Sequence, residues 1–419
     1  MKLLKKIYHR FIPVFADVFY GTPGKKMIVI GVTGTKGKST TCRFVASVLE
    51  AGGHKVGLMS TVEFQVGDKR WLNDKKMSML GKGQIQKMMR DMVDAGCEYA
   101  VIETSSEGIL QYRHLGVHYD VAVFTNLGTE HSERHGGFEN LRRDKGKLFA
   151  NLKKEENKIL RGIKIDKVII TNADDESAKY FADFGADKKY HFNIKGKNII
   201  ANVQGTDFEA LGRKFHLNIL GEFNVPNALA AIAVGKSQGV SDDKIALGLA
   251  NVKKLEGRME FIEEGQNFKV VVDYAHEPLS LSALFKTLRN LIEKNNKVIG
   301  VIGSDGGGRD VGKRAQMGKI AGELCDCVII TDVNSFNENP MVIAEMLAKG
   351  AREAGKKDGE NLFIEIDRRA GIKKAIDLAK AGDIVAITAK GTEPVMCMAN
   401  GKKILWDDRA VAREILTHQ

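Results

Sequence analysis

The feature that most constrains the fold is a short glycine loop between an apolar strand and a helix. Residues Ile28–Val32 are apolar enough to form a buried strand, and Ser39–Ala51 has the composition of a helix. Between them the chain runs Thr33-Gly34-Thr35-Lys36-Gly37-Lys38-Ser39-Thr40. Glycines let backbone N–H groups approach phosphate oxygens, and the start of the following helix adds a positive dipole end. The spacing therefore predicts a nucleotide-phosphate site.

Lys38 and Ser39 carry the chemistry that this loop can perform. A lysine at this place reaches the β- and γ-phosphates, and a serine hydroxyl can ligate Mg²⁺. The spacing is G-x-x-G-K-S, and the general phosphate-loop pattern is not met because Val32 stands five residues before Gly37. A glycine turn with an incidental lysine is the alternative. We predict that ATP is held by the residues of the loop, Gly34, Thr35, Lys36, Gly37, Lys38, Ser39 and Thr40.

Two further strands are predicted to end beside this loop. Glu103 follows the apolar run Tyr99–Ile102, and His131 lies in the segment after the run Val121–Thr125. Because parallel strands end at one edge of the sheet, where ligands bind, both side chains are expected near the phosphates. A carboxylate and a histidine there suit Mg²⁺, with bridging waters. We predict Ser39, Glu103 and His131 as metal ligands, although Glu103 or His131 alone is as typical of a surface salt bridge.

Apolar runs that suit buried parallel strands alternate with amphipathic helical stretches along the whole chain. The predicted strands are Met27–Val32, Tyr99–Ile102, Val121–Thr125 and Val168–Thr171, then Val270–Val272, Val298–Ile302, Val328–Thr331, Leu362–Ile364 and Ile384–Thr388. The predicted helices include Ser39–Ala51, Leu279–Ile292 and Arg314–Glu323, and Lys195–Phe215 alternates as a β-rich insert does. This order predicts an α/β protein with parallel sheets covered on both faces.

The strand series restarts near Leu255, which predicts a domain boundary there. We expect an N-terminal segment (1–20), a central phosphate-loop ATPase domain with a mostly parallel sheet (21–255) and a C-terminal Rossmann-like α/β domain (256–419). A chain of 419 residues is long enough for two such cores.

Composition argues against a disulfide-stabilised protein and against a nucleic-acid-binding protein. A hydrophobic content of 43% with 28% charged residues is ordinary for a globular protein, and the five cysteines do not form a disulfide framework, which favours the cytoplasm. The net charge of +11 favours small anionic substrates. No basic block with interleaved aromatics indicates a nucleic-acid partner. We expect a monomer that acts on small molecules.

The first twenty residues form a basic amphipathic segment. Apolar side chains recur at roughly helical spacing with basic residues between them: Leu4, Ile7, Tyr8, Phe11, Phe15, Val18 and Phe19 against Lys2, Lys5, Lys6 and Arg10. Pro13 is expected to break or kink a continuous helix. Three interpretations stay open: docking on the protein's own core, contact with a membrane or partner surface through residues 2–19, and a cleaved signal peptide, against which Asp17 argues.

Further motifs follow the loop in a fixed order. They are Gly221-Glu222-Phe223-Asn224-Val225-Pro226-Asn227-Ala228-Leu229-Ala230-Ala231, Gly257-Arg258-Met259-Glu260, Asp273-Tyr274-Ala275-His276, Gly312-Lys313-Arg314, Asp367-Arg368, Lys390-Gly391-Thr392-Glu393 and Trp406-Asp407-Asp408-Arg409. With the glycine loop, they resemble the Mur ligase family, and within it most the ligases that add the third amino acid to UDP-N-acetylmuramoyl dipeptide. The resemblance runs from the loop nearly to the end of the chain.

The resemblance implies roles for individual residues in ATP and metal binding. Asn224, Asn227, Arg258 and Asp273 fall at family positions that hold ATP, from both domains. Lys145 matches a lysine that becomes carbamylated and supports a second magnesium; a desolvated lysine loses its proton more easily, and CO₂ capture makes it an anionic ligand. Lys147 stands two residues away, so sequence alone can confuse the two, and an exposed lysine pair is the alternative. The implied catalytic set is Lys38, Glu103, His131 and Lys145.

On the acceptor side the sequence departs from its relatives. Ser105, Ser106 and Arg113 match positions that approach the muramoyl substrate, but Glu107 replaces a histidine and Ser78-Met79-Leu80 replaces a Thr-Thr-Pro stretch. Relatives carry a further domain before the loop that holds the uridine nucleotide, and only about 30 residues precede the loop here. Recognition of a UDP-linked acceptor is therefore open.

The amino-acid side is also altered. Arg309, Asn334 and Glu393 match positions that face the incoming amino acid, and Glu393 can hold an ammonium group or be a surface carboxylate. Diaminopimelate-adding relatives use the arginine of an Asn-Pro-Arg segment to hold the distal carboxylate. This chain has Asn334-Ser335-Phe336, so diaminopimelate held in that way is not expected.

The resemblance implies an ATP-dependent ligase that activates a carboxylate as an acyl phosphate and couples it to an amino acid, on a muramoyl-peptide type of cell-wall precursor. Two other functions stay open: a ligase of the same superfamily on a folate or poly-amino-acid acceptor, and a non-catalytic nucleotide-binding scaffold. The wall-type stretches Gly257–Glu260 and Asp273–His276 argue against the first alternative. The intact set of Lys38, Glu103, His131 and Lys145 argues against the second.

Overall fold

The computed structural model describes residues 2–75, 77–81, 83–128, 132–195, 197–202, 204–308 and 311–418, without the side chains of residues 2–7 and 134. The chain divides into two compact units. Unit 1 comprises residues 1–201 and 205–253, and unit 2 comprises residues 254–419 with 202–204. This division falls two residues before the predicted boundary at 255. The N-terminal segment belongs to unit 1.

The elements up to residue 253 alternate between strands and helices. They are α1 (Lys2–Phe19), β1 (Ile28–Thr33), α2 (Lys38–Ala51), β2 (Val56–Met59), β3 (Glu63–Val66), β4 (Lys69–Leu72), α3 (Gln84–Asp94), β5 (Tyr99–Glu103), α4 (Ser106–Leu110), β6 (Val121–Phe124), α5 (Ser132–His135), α6 (Phe138–Leu152), β7 (Ile159–Leu160), β8 (Ile163–Lys164), β9 (Val168–Asn172), α7 (Ala178–Ala182), β10 (Lys188–Phe192), β11 (Ile200–Asn202), β12 (Gly205–Ala210), β13 (Arg213–Leu217), α8 (Val225–Ser237) and α9 (Asp242–Ala250), with 3₁₀ helices at Pro23–Lys26 and Glu222–Asn224.

Unit 1 is built on an eight-stranded sheet in the order β10-β9-β6-β1-β5-β2-β3-β4. The strands from β10 to β2 are parallel, and β3 and β4 add an antiparallel edge. In the register, Val32 of β1 pairs with Glu103 of β5 on one side and with Val123 of β6 on the other. The loops after these three strands therefore meet at one edge of the sheet, as the sequence predicted.

Unit 2 begins after the β-rich insert, whose strands β11, β12 and β13 form a separate three-stranded sheet. Its elements are β14 (Glu260–Ile262), β15 (Lys269–Val272), α10 (Pro278–Arg289), β16 (Val298–Ile302), α11 (Lys313–Leu324), β17 (Cys327–Ile330), α12 (Pro340–Glu353), β18 (Leu362–Ile364), α13 (Arg368–Leu378), β19 (Ile384–Ile387), β20 (Val395–Cys397), β21 (Lys403–Leu405) and α14 (Asp408–Thr417), with a 3₁₀ helix at Ala399–Gly401. The sheet order is β14-β15-β19-β16-β17-β18, parallel except for β14. The predicted α/β class is confirmed.

The N-terminal helix α1 is not broken at Pro13, as the sequence led us to expect, and it packs on unit 1. The helix continues through Pro13 although that residue lacks the N–H of one helical hydrogen bond. Pro13, Ala16 and Asp17 are buried against unit 1, and this packing supports the helix across the missing bond. The segment docks through these residues and not through its aromatic side chains, which point to solvent. Within the described residues, no helix has both the length and the apolar character needed to cross a bilayer.

Candidate active site

The glycine loop adopts a backbone that only glycine fits at two positions. Gly34 has φ +153° and Gly37 has φ +78°, in the region that side chains rarely adopt. A Cβ atom on Gly34 would lie 1.9 Å from Thr125 Oγ1, and one on Gly37 would lie 2.0 Å from Asn227 Oδ1. The loop is thus wedged between the end of β6 and the start of α8. The loop thus leads directly into the N-terminus of α2, a type of site that binds phosphate groups.

Residues at the end of β6 hold the loop in this shape. The backbone N–H of Thr35 donates to the carbonyl of Asn126 at 2.8 Å, and that of Lys36 donates to Asn126 Oδ1 at 2.8 Å. The Thr125 hydroxyl donates to the Lys36 carbonyl at 2.8 Å. We did not predict Thr125 and Asn126 as site residues, although Thr125 ends a predicted strand and Asn126 follows it.

Ser39 and Glu103 form the polar centre that was predicted to bind a metal. The Ser39 hydroxyl donates to Glu103 Oε2 at 2.7 Å. Glu103 is only 2% exposed, and its carboxylate also accepts from the N–H and the hydroxyl of Thr61, each at 2.8 Å. Lys38 Nζ donates to the carbonyl of Thr35 at 2.9 Å and so folds over the loop. Thr61 was missed because it follows the short strand β2, which the sequence did not reveal.

Lys145 and Lys147 lie in different environments. Lys145 is 3% exposed, and its Nζ donates to the carbonyl of Gly34 at 2.8 Å. The Lys147 side chain is 43% exposed and pairs with Asp144. Burial favours the neutral form of the Asp144 carboxyl, but hydrogen bonds from Lys147 and His135 outweigh this and hold its pKa below the usual range. Of the two lysines, only Lys145 therefore contacts the loop. The predicted metal ligand His131 lies outside the described residues.

The two asparagines implied in ATP binding pack beside the loop. Asn224 precedes α8, and Asn227 lies in its first turn. Asn227 Oδ1 accepts from the Thr41 hydroxyl at 3.3 Å, and its Nδ2 donates to Asn224 Oδ1 at 3.3 Å. Thr40 is buried in the first turn of α2. Unit 1 thus brings the loop, the Ser39–Glu103 pair, Lys145 and both asparagines together.

The predicted acceptor-side residues lie near α4. Ser105 caps this helix by accepting from the N–H of Gly108 at 3.2 Å, and Ser106 is buried in its first turn. Arg113 donates to the Met79 carbonyl at 2.5 Å and to Gln111 Oε1 at 2.6 Å. Burial lowers the pKa of Arg113. Arg113 therefore also fixes the segment that replaces Thr-Thr-Pro.

In unit 2, the Asp273 side chain holds the turn that contains Arg258. Asp273 Oδ2 accepts from the N–H of Met259 at 2.8 Å, and Oδ1 accepts from the N–H of Ala275 at 2.7 Å. Met259 has φ +44°, and this turn presents the neighbouring Arg258. The Arg258 guanidinium lies 4.5 Å from the centre of the Tyr274 ring, a cation–π contact.

A second polar cluster in unit 2 contains the predicted amino-acid residues. Asn334 Nδ2 donates to Glu393 Oε2 at 3.1 Å and to Asp305 Oδ1 at 2.7 Å. Lys390, which is fully buried, donates to Glu393 Oε2 at 3.1 Å. The pKa of Tyr274 is raised well above its usual value, mainly by burial and then by Glu393. Asp305 and Lys390 were not predicted; Arg309 lies outside the described residues.

Comparison with known proteins identifies the family. The Mur ligase middle domain matches residues 32–235, and the Mur ligase, glutamate ligase domain matches residues 257–391. The UDP-N-acetylmuramyl-tripeptide synthetase of Roseiflexus sp. (strain RS-1) is 39% identical over 415 residues, covering 96% of this chain and 81% of the relative. The chain belongs to the Mur ligase family. It is an ATP-dependent ligase that forms an amide bond, as members of the family are.

Other Mur ligases are similar over almost the same length. The UDP-N-acetylmuramoyl-L-alanyl-D-glutamate--2,6-diaminopimelate ligase of Geobacillus kaustophilus (strain HTA426) is 37% identical over 418 residues, covering 96% of this chain and 82% of that protein. A solved structure of a ligase with this name has a TM-score of 0.61 at 27% identity. The match covers 94% of this chain and 79% of that one. Mycobacterium tuberculosis folylpolyglutamate synthase shares the fold at 18% identity, with a TM-score of 0.68. The match covers 90% of this chain and 92% of the synthase.

ATP and Mg²⁺, which Mur ligases use, fit the residues of unit 1. The loop offers a close backbone approach at Gly34 and Gly37. Ser39 and Glu103 supply hard oxygen donors, which Mg²⁺ prefers. Over the described ranges, no group of three or more His, Cys, Asp or Glu side chains is arranged to hold a metal. One carboxylate with substrate phosphates is a usual Mg²⁺ environment, so the donor set is adequate.

Some of the Mur ligase motifs are structural. Arg368 and Asp408 form a fully buried ion pair in unit 2, with the guanidinium donating to both carboxylate oxygens at 2.8 and 2.7 Å. Arg368 also donates to Thr331 Oγ1 at 2.9 Å and to the carbonyl of Thr388 at 2.6 Å. These contacts join α13 and the start of α14 to β17 and β19. The Asp367-Arg368 and Trp406–Arg409 motifs therefore stabilise the sheet of unit 2.

Proposed function

We propose that this Mur ligase adds an amino acid to the free carboxylate of a muramoyl-peptide precursor of the cell wall. The observation that carries the proposal is the set of contacts around the loop. Lys38, the Ser39–Glu103 hydrogen bond and buried Lys145 all surround one place where a terminal phosphate would be transferred. The relatives with 37–39% identity are named as ligases for UDP-N-acetylmuramyl peptides, which supports this choice of acceptor.

The reaction needs no nucleophilic side chain. A carboxylate oxygen of the acceptor attacks the γ-phosphorus of ATP, the bond to the bridging β–γ oxygen breaks, and ADP leaves. The amine of the amino acid then attacks the acyl carbon, loses a proton, and phosphate departs with the former carboxylate oxygen. Lys38 and the N-terminus of α2 stabilise the negative charge on the transferred group. Bound Mg²⁺ would neutralise further charge, and Ser39 and Glu103 would hold it.

The proposal includes a carbamate on Lys145. CO₂ reacts with a neutral lysine amine to form a carbamate and releases one proton. Taking a lysine out of water disfavours its charged form, and Lys145 is buried. A carbamate nitrogen keeps one N–H, so the bond to the Gly34 carbonyl can be retained while an anionic group is added beside the loop. Lys147, which is exposed and paired with Asp144, offers neither condition.

The cluster of Asp305, Asn334, Lys390 and Glu393 is the proposed site for the incoming amino acid. Two carboxylates can accept hydrogen bonds from an ammonium group, and Asn334 and Lys390 fix the position of Glu393. Phe336 has no donor for a distal carboxylate. Its φ is +51°, and its N–H donates to the Cys397 carbonyl at 3.0 Å. We therefore propose an amino acid whose recognition does not require an arginine at position 336.

The acceptor itself can be tested with labelled carboxylate. The protein is incubated with ATP, Mg²⁺ and single amino acids, together with a muramoyl dipeptide whose terminal carboxylate carries oxygen-18, with and without UDP. We expect ADP formation that requires both acceptor and amino acid, a product heavier by one amino-acid residue, and one labelled oxygen in the released phosphate. Unlabelled phosphate would contradict the acyl phosphate. Coupling to a folate or poly-amino-acid acceptor in place of the muramoyl peptide would contradict the wall assignment.

The cellular setting is also a proposal. All five cysteines are buried free thiols, which suits a reducing compartment that supplies ATP, namely the cytoplasm. A monomer remains our prediction for the oligomeric state.

A further inference from the structure

The N-terminal helix α1 presents a row of large apolar side chains to solvent. Phe11, Phe15, Val18 and Phe19 are 68%, 71%, 68% and 69% exposed. With Tyr8 and Val14 they form the aromatic face of α1, which is also exposed. Phe15 and Phe19 stack with their ring centres 6.1 Å apart. Exposed apolar patches of this kind mark interaction sites.

The opposite side of α1 fixes the helix on unit 1. Asp17 is 5% exposed, and its Oδ2 lies 2.7 Å from His118 Nε2. Ala16 packs closely against Gly83: a Cβ atom added to Gly83 would lie 2.8 Å from the Cβ of Ala16. Pro13 is buried on the same side. Because a helix repeats every 3.6 residues, this contact turns the aromatic face away from the protein. The aromatic residues therefore cannot fold back onto the core of unit 1 without releasing Asp17 and Ala16.

The exposed charged side chains described on the segment and on the 3₁₀ helix after it are all cationic. The helix carries Lys2, Lys5, Lys6 and Arg10, and Arg10 is exposed. Its single acidic residue, Asp17, is buried in the contact with His118. Two more exposed lysines, Lys25 and Lys26, follow within the next 3₁₀ helix. From residue 8 onward, the exposed side chains of the segment and of the 3₁₀ helix after it are thus apolar or cationic. A second copy of the chain would bring like charges together, whereas an anionic surface would complement them.

We infer that the aromatic face of α1 binds the interface of a membrane containing anionic lipids. A helix of this type lies in the plane of the interface, with its apolar side chains among the acyl chains and its lysines at the headgroups. Docking through Asp17 and Ala16 holds α1 along the surface of unit 1, which presents the whole face at once. The consequence is that the ligase is held at a lipid surface by α1 while the rest of unit 1 stays in water.

Vesicle flotation of the full chain tests this inference. Vesicles of phosphatidylcholine alone are compared with vesicles of phosphatidylcholine and phosphatidylglycerol. We expect flotation with the anionic vesicles that weakens with added salt and with neutral lipid. The double variant Phe11→Ser/Phe15→Ser should reduce partitioning at least about tenfold, because two aromatic side chains no longer leave water.

Matched controls keep the result unambiguous. Ile159 and Ile163, on the hairpin of β7 and β8 in the same unit, are 74% and 66% exposed. The double variant Ile159→Ser/Ile163→Ser should float like the unchanged protein, and thermal unfolding should show that both variants are folded. Absence of flotation, or flotation that survives the Phe11/Phe15 substitutions, would overturn the inference. So would light scattering that shows a dimer dependent on Phe11 and Phe15, since a second copy would then cover the face.

Discussion

The ammonium nitrogen of Lys145 lies 2.8 Å from the carbonyl oxygen of Gly34. This contact joins helix α6 to the glycine loop across 111 residues of sequence. Lys147, two residues further along the same helix, instead pairs with Asp144 near the surface. The geometry therefore separates two neighbouring lysines that are easily confused in the sequence, and it supports Lys145 as the candidate for modification.

We expect Lys145→Ala to lose most of its acceptor-dependent ADP formation, because the proposed carbamate beside the loop can no longer form. Added short carboxylates such as formate or acetate should partly restore turnover by entering the vacated space. Lys147→Ala is the matched control and should retain most activity. The measurement is phosphate release with and without added carboxylate. Equal tolerance of both substitutions would refute the assignment of the carbamate to Lys145.

The buried Glu103 is expected to set the Mg²⁺ requirement. Glu103→Gln keeps the shape but removes the negative charge next to Ser39. We expect the Mg²⁺ concentration for half-maximal turnover to rise by about 10–100-fold, as for other residues that support metal sites. Glu98→Gln, just before the opposite end of β5, is the control because Glu98 pairs only with His54 and Arg161 in the contacts described. A Mg²⁺ titration that is the same for both variants would exclude Glu103 from the metal site.

Gly37→Ala should abolish nucleotide binding without unfolding the protein. The new Cβ would lie 2.0 Å from Asn227 Oδ1, so either the loop or the start of α8 has to move. Gly53→Ala is a matched control, since Gly53 also has a positive φ, +95°, but a Cβ there meets nothing within 4 Å. Calorimetric titration with a non-hydrolysable ATP analogue measures the effect. Unchanged affinity for Gly37→Ala would mean that this approach of loop and helix does not shape the phosphate site.

The central strands could be predicted because parallel strands buried on both faces are continuous apolar runs. The edge strands β3 and β4 could not, since they carry polar residues such as Gln65, which is buried with hydrogen bonds to the side chains of Arg43 and Glu50 and to two backbone carbonyls. Such long-range polar partners leave no local pattern. The predicted helix Leu279–Ile292 ends early, at Arg289, where a turn begins at Asn290.

The site was predictable to the extent that a local pattern or the family resemblance marked it. Lys145 stands four residues after Leu141 and four before Phe149, on the buried face of α6. Residues two apart on a helix face different directions, so this apolar pattern could have distinguished Lys145 from Lys147. In contrast, the contact of Asn334 with Glu393 joins residues 59 apart. Only the fold brings them together, and no spacing in the sequence predicts their partner Asp305. Lys390 stands three residues before Glu393 in one motif, so that contact is local and lies within reach of a sequence pattern.

The docking of α1 is expected to weaken above about pH 8. Burial of the His118 ring disfavours its charged form, but hydrogen bonds with Asp17 and Glu155 outweigh this and raise the pKa of His118 from 6.5 to about 8. Lys158, which donates to the backbone carbonyl of His118, adds a positive charge nearby. A raised pKa stabilises the folded state fully below pH 6.5 and loses that contribution as the pH rises through about 8. The shift corresponds to about 2 kcal/mol.

His118→Asn provides the comparison for this pH dependence. Asparagine tolerates the positive φ of +58° at this position, so the backbone is not strained by the change. The difference in unfolding free energy between the unchanged protein and the variant should be largest near pH 6 and should shrink as the pH passes about 8. Denaturant unfolding at a series of pH values measures it. A difference that is constant with pH would show that His118 is not charged in the folded protein.

The buried pair of Arg368 and Asp408 should be important for the stability of unit 2. Asp408→Asn leaves a fully buried guanidinium without its counter-charge, which costs about 3–5 kcal/mol. The neighbouring pair of Arg369 and Glu414 lies at the surface, so Glu414→Gln should change the unfolding free energy little. Denaturant unfolding followed by tryptophan fluorescence suits this comparison, because Trp406 Nε1 donates to Asp408 Oδ1 at 2.7 Å. If both variants unfolded at the same denaturant concentration, the Trp406–Arg409 motif would need a role other than holding this sheet.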